Sequence, residues 1–254
     1  MAEMITSNRA GPLAKRVLLY SGGMDSVCFD NLLLPDVCLY VRNKAPYAAC
    51  EDYCVEKLEA QDKIKGELVT LDANVLDLSQ WERDDAIVPN RNAHLVLLAS
   101  NYGDQIYLSS VYGDRSNDKD EKFYRLMEML LGHMWDEQHW TKRRRFRISS
   151  PFKMWTKSTL VDRYLSRGGD HLALLTSYSC YRGQPKHCGI CKPCFRKRVA
   201  LENNYIEVPR GYFEDDFWRQ DWFHELLPRM QEGKYRGDED KDVLKFLRLR
   251  NLLA

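Results

Sequence analysis

The sequence predicts an α/β fold: a doubly wound parallel sheet followed by a C-terminal helical zinc-binding region. Three observations carry this. Short apolar runs alternate with amphipathic stretches through the first half of the chain, the pattern of βαβ units. The first run, Val17-Leu18-Leu19-Tyr20, is too short for a helix and is cut by Gly22-Gly23, as expected where a buried parallel strand hands over to a helix. Four of the eight cysteines crowd into residues 177–201, where the composition changes.

Taken in order, strands are expected at 17–20, 37–41, 67–71, 105–109 and 145–149. Helices are expected at 49–65, at 91–102 with Leu95, Leu97, Leu98 and Ala99 toward a core, and at about 156–167, ending at Gly168-Gly169. This divides the 254 residues into an α/β domain at 14–170 and a zinc-binding, helical region at 171–254. The last stretch, DEDKDVLKFLRLRNLL, sets Val243, Phe246, Leu247 and Leu253 on one helical face, read as packing on its own chain ahead of a partner site.

With 44% hydrophobic and 30% charged residues the composition is that of a globular protein, and no apolar run approaches the roughly 20 residues of a membrane span. No membrane partner is expected. The N-terminus lacks a secretory apolar segment, so a cytoplasmic chain with a loose first dozen residues is expected. A net charge of +1 gives no global pull toward nucleic acid. The run Lys142-Arg143-Arg144-Arg145 with Arg147, between Trp140 and the apolar Phe146 and Ile148, reads first as a solvated loop or strand edge and second as a polyanion contact.

Residues 16–26, RVLLYSGGMDS, place a glycine turn and good helix-starting residues, Asp25 and Ser26, after a strand. Free N–H groups and the positive end of the helix dipole then converge on one point, which makes an anion site. The stretch lacks the lysine of GxxxxGK[ST], and no GxGxxG occurs, so neither a Walker loop nor a dinucleotide fingerprint applies.

Cys180, Cys188, Cys191 and Cys194 follow C-x7-C-x2-C-x2-C, with Gly189 and Pro193 supplying turns. Four thiolates make a closed tetrahedral zinc site with no position left for water, so the metal is expected to hold structure; an iron–sulfur cluster is the alternative. His187 is read as an exposed neighbour rather than a ligand. Cys28, Cys38, Cys50 and Cys54 read as ordinary buried cysteines.

SGGMDS after a first strand resembles the PP-loop of ATP pyrophosphatases. VPNRNAHLVLLA at 88–99 is similar to the VPxRN segment of 7-cyano-7-deazaguanine synthases, and SPFKMWTKSTLVDRYL to a helix start of that family. SCYRGQPKHCGICKPCFRKRVA resembles its zinc signature, a Cys before a Tyr, then CGxCxxC and a basic helix. The resemblance covers about residues 16–204, in the family's order. It implies an ATP-dependent ligase that converts 7-carboxy-7-deazaguanine and ammonia to the nitrile through adenylated intermediates, with ATP, Mg2+ and structural Zn2+, as a homodimer.

It further implies that Ser21, Gly22, Gly23, Asp25 and Ser26 hold the ATP phosphates, with Asp25 capping the helix or helping to hold Mg2+. Arg91 and Lys157 supply cations to the phosphates, so that Asp25, Arg91 and Lys157 form the catalytic set; Asn92 reads as a cap or turn residue. The family's D-x-S-G-Y-P-D-C-R stretch is replaced here by Gly113-Asp114-Arg115-Ser116-Asn117-Asp118-Lys119-Asp120, and its Y-G-Q-R-H by Tyr40-Val41-Arg42-Asn43-Lys44. Asp114, Asp118 and Asp120 are candidates for the guanine-like N–H groups, against the plain reading of a charged loop that caps the next helix. These departures leave open the same adenylation chemistry on another acceptor: an amide-forming or macromolecule-conjugating ligase, or a tRNA-modifying enzyme with a nucleic-acid or protein acceptor. An inactive zinc-containing binding module also stays open.

Overall fold

The computed structural model describes residues 15–72, 79–83, 88–114, 116–139 and 142–253. The expected N-terminal tail, Arg115 and Trp140 lie outside the described residues.

Five strands, β1 Arg16–Leu19, β2 Val37–Val41, β3 Glu67–Leu71, β4 Gln105–Tyr107 and β5 Arg147–Ser149, form one sheet in the order β3-β2-β1-β4-β5. Every pairing is parallel; Leu18 sits beside Cys38 on one side and Tyr107 on the other. The chain winds outward from β1 to β3, then returns across it to β4. A crevice therefore opens beyond the carboxyl ends of β1 and β4, where the winding reverses.

Period-two alternation explains the two faces. Leu18 and Tyr20 point into a core with Phe29 of α1 (Met24–Leu33), Leu58 of α2 (Ala48–Ala60) and Leu160 of α5 (Lys157–Ser166). Val17 and Leu19 point the other way, toward Val96 of α3 (Arg91–Ala99) and Leu131 of α4 (Glu121–Met134). The first core also contains Ala173 and Leu174 of α6 (His171–Thr176) and Ala200 and Leu201 of α7 (Lys192–Asn203), so residues on both sides of position 170 share it.

α7 serves three cores at once. Phe195 and Val199 turn toward Phe217 and toward Phe223 of α8 (Asp221–Gln231) and Phe246 of α9 (Asp238–Leu249), where aromatic rings pack 4.6–6.2 Å apart. The apolar face expected of the last helix is covered by this cluster: Val243, Phe246 and Leu247 are buried in it. Cys194, on the remaining side of α7, joins a small core of Cys54, Tyr178, Cys180 and Cys188.

The strands expected at 105–109 and 145–149 are shorter than the sequence suggests, and α2 and α3 stop at Ala60 and Ala99. Asp62 and Asn90 at helix boundaries take positive φ, of 56° and 61°, and Ser100 ends α3 by donating to Leu97 O at 2.7 Å. The basic run is not uniformly solvated. Arg144 pairs with Asp104 and stacks 4.4 Å and 4.7 Å from the rings of Trp135 and Phe146, while Lys142, Arg145 and Arg147 are exposed.

Candidate functional site

The glycine turn sits at the head of β1. Gly22 takes φ +67°, and a Cβ there would come within 2.6 Å of Val55, so both conformation and space ask for glycine. Gly23 is the N-cap of α1, without a side-chain cap. Ser26 donates to Gly23 O at 2.9 Å and accepts from Ser21 N at 3.3 Å, which folds the turn on itself. Asp25 therefore does not cap the helix. It pairs with Lys157 at the start of α5, and its other oxygen, Oδ1, is buried without a hydrogen-bond partner among the described residues.

Over this turn opens a cleft of about 310 Å3 at the topological switch. Of the expected site residues, Ser21, Gly23, Asp25, Ser26, Arg91, Asp114 and Lys157 line it; Gly22 shapes the turn behind. Asp118 and Asp120 do not line it. Asp118 accepts from Asn92 Nδ2 at 2.8 Å and from Ser116, and Asp120 caps α4 by accepting from Phe123 N at 2.7 Å. Three of their four carboxylate oxygens are used in building the loop, and neither residue stands where the expected contact with a guanine-like edge would put it, in the cleft lining. Asn92, read as a cap, is instead buried inside α3 and serves as the donor to Asp118.

Among the described residues, six basic side chains line the cleft, Arg42, Arg91, Lys119, Lys157, Arg196 and Lys197, against three acids, Asp25, Glu51 and Asp114. A chain of net charge +1 thus concentrates positive charge at one place, which suits a polyanionic ligand. Nothing local in the sequence singles out Arg196 and Lys197 beyond the basic character of α7. Burial pushes the Lys197 ammonium down to about 7, and its Nζ donates to Ser177 O and, at 3.0 Å, to Ser177 Oγ. Burial likewise pushes the Glu51 carboxyl up to about 7, against the pull of its Asn43 donor and of Arg91. Asp114 is held well below the usual carboxylate range: the opposing cost of burial is overcome by Lys119, Arg196 and Lys157.

The four predicted cysteines come together beside the cleft, with all four sulfurs within 4.8 Å of one another and Cys180 lining the cleft itself. Cys191 is the N-cap of α7, and Pro193 follows in its first turn. Gly189, at φ +78°, has Asp215 O only 1.9 Å from where a Cβ would stand. Cys188 and Cys194 sulfurs lie 3.9 Å apart; Zn–S bonds of about 2.3 Å in a tetrahedron ask for about 3.8 Å between sulfurs. The donor set can hold one metal ion.

His187, expected at the surface, is buried: it stacks on Tyr212 at 4.7 Å, and its Nε2 accepts from Ser179 N at 3.3 Å. Burial and then Lys197 lower its pKa to about 3, so it stays neutral. Tyr178 N donates to Gly22 O at 3.0 Å, so a backbone bond joins the cysteine knuckle to the glycine turn.

An α/β sheet whose first strand hands over to a helix through SGGMDS, under a cationic cleft at the switch point, defines a PP-loop enzyme, an ATP-dependent ligase in class. Comparison with known proteins gives the family. The family described as queuosine biosynthesis protein QueC matches residues 40–205, and the chain belongs to it. The 7-cyano-7-deazaguanine synthase of Paracoccus denitrificans is 26% identical over 233 residues, 81% of this chain and 96% of that one. Those of Psychromonas ingrahamii and Brucella canis are each 24% identical, over 78% and 81% of this chain and 97% and 96% of theirs. Among solved structures, the U34-tRNA thiolase NcsA of Methanococcus maripaludis with its [4Fe-4S] cluster gives a TM-score of 0.40 at 9% identity, covering 95% of this chain and 74% of that one; at that score it bears on neither fold nor function.

Proposed function

We propose that the chain converts 7-carboxy-7-deazaguanine and ammonia to 7-cyano-7-deazaguanine, with two ATP cleaved to AMP and pyrophosphate. The observation that carries this reading is the convergence of the glycine turn, the Asp25–Lys157 pair and Arg91 on one cationic cleft in a member of this family.

A carboxylate is a poor electrophile. Attack of its oxygen on the α-phosphorus of ATP expels pyrophosphate and leaves an acyl adenylate. Ammonia then adds to the acyl carbon, AMP leaves and a proton is lost, giving the amide. A second adenylation, now on the amide oxygen, lets AMP depart as the C–N triple bond forms with loss of protons. None of these steps needs a nucleophilic side chain; they need alignment and charge neutralisation.

The backbone N–H groups around Gly23 and the hydroxyls of Ser21 and Ser26 would receive phosphate oxygens. Lys157 and Arg91 offset the charge that develops on the departing pyrophosphate. The orphaned Oδ1 of Asp25 fits a Mg2+ carried in with the nucleotide, which supplies further neutralisation when bound. The cysteine knuckle suits Zn2+, since one ion at the centre of four sulfurs accounts for their closeness, whereas a cluster spreads its cysteines over several irons. With four thiolates the ion has a structural role.

The test is to incubate the purified chain with ATP, Mg2+, ammonium and 7-carboxy-7-deazaguanine. AMP, pyrophosphate and the nitrile are expected by mass spectrometry. ATP cleavage that ignores the acid, or an amide that never becomes nitrile, would refute the reading as stated.

A further inference from the structure

The two last helices, α8 and α9, lie beyond the family-matched residues 40–205, yet α9 reaches the cleft through charge. Glu239, only 6% exposed, accepts from Arg196 Nη2 at 2.6 Å and from Arg236 Nε. Arg196 Nη1 stands 3.4 Å from Asp114 Oδ1, and Arg236 donates to Gly113 O. Carboxylates from the turn after β4 and from α9 thus grip Arg196 from two directions. Its Nε is buried without a hydrogen-bond partner among the described residues, while 19% of the side chain remains open.

A network of this kind is a poor device for stability alone, because desolvating four charges offsets most of their mutual attraction. What it does provide is direction. A guanidinium is a rigid planar fork, and holding both terminal nitrogens fixes its plane and the direction of their remaining N–H bonds. The same cation lines the cleft and lies within electrostatic reach of Asp25.

We infer that Arg196 is an anion-binding residue of the cleft, and that Glu239 of α9 is the positioning residue that aims its guanidinium at the phosphates. The inference rests on the reading of the cleft as an ATP site and adds to that site a contact governed from outside the family-matched segment. Arg236 completes the device by tying Glu239 to the backbone of the 111–114 turn.

The sign of one substitution separates aim from bulk charge. Glu239→Gln removes a negative charge near the cleft, so electrostatics alone would tighten the binding of a polyanion; loss of aim would weaken it. The metal-loaded full chain is titrated calorimetrically with α,β-methylene-ATP, which cannot be split into AMP and pyrophosphate, below the melting temperature of every variant. Glu239→Gln is expected to bind about tenfold more weakly, the scale of one charge-assisted contact. Binding as tight as the parent's, or tighter, overturns the inference. Should Glu239→Gln not fold, Arg196→Lys decides: it keeps the charge and loses the fork, so about tenfold weaker binding is expected, and unchanged affinity overturns the inference. A parent chain that binds the analogue but leaves the acid unconverted refutes the proposed substrate alone, since these affinities do not depend on it.

Discussion

One part of the cleft needs only six consecutive residues. Positions 21–26 form the glycine turn, close it with Ser26 and deliver Asp25 to the start of α1. The other part is assembled from three segments far apart in the chain: Asp114 after β4, Arg196 on α7 and Glu239 on α9. The first is a local solution to binding an anion and is written as a motif. The second is a tertiary solution, in which each residue alone is an ordinary surface charge and only the packing of α7 against α9 gives it a direction.

Perturbing the joint between the two parts should have the largest effect. Cys188→Ser, or metal removal by a chelator, releases the knuckle whose Tyr178 N holds Gly22 O. Loss of several kcal/mol of stability together with nucleotide binding is expected by thermal melting and titration, on the scale of structural zinc sites. Retained ATP affinity in the metal-free chain would show the two parts to be independent. Next is the local motif itself. Asp25→Asn should lower kcat by about a hundredfold or more at nearly unchanged melting temperature and metal content; a kcat near that of the parent would remove Asp25 from the phosphate site.

Glu51 tests the cleft by pH. Its folded pKa of about 7 lies above the ordinary carboxyl value of 4.5, so the folded state holds the proton longer than the unfolded one. The stability it contributes is complete below about pH 4.5 and is lost as pH rises through 7. Glu51→Gln should lack this decline, and the gap between the two melting curves should widen from pH 4.5 to 7; parallel curves would refute the burial argument. The smallest effect is expected at Asp120. Replacing this cap by Ala should cost about 1 kcal/mol of stability and leave the KM for the acid unchanged. A rise in that KM would return Asp120 to the substrate site.

The same contrast explains what the sequence could show. The sheet and its glycine turn were legible because alternation and a strand–turn–helix break are local patterns. The cysteines were legible because two-residue spacing already puts thiolates in reach of one ion. The fate of the acids in 114–120 was not: Asp118 and Asp120 look as available as Asp114 until Asn92 and the start of α4 claim them. His187 looked solvated because the segment that covers it, around Tyr212 and Phe213, arrives 25 residues later. Arg196 and Lys197 were visible as a basic helix, but nothing near them in sequence says that the helix start faces the cleft.

The surplus of cations in the cleft also constrains the smallest reactant. Ammonium carries the same sign as the basic side chains that outnumber the acids in the site, so before a nucleotide binds, the field of the cleft opposes entry of this ion. For the proposed reaction, nitrogen then enters as the uncharged gas-like molecule, a small fraction of the pool at neutral pH. The cleft acts as a polarity filter, and the apparent KM for total ammonium should fall as the medium becomes more alkaline.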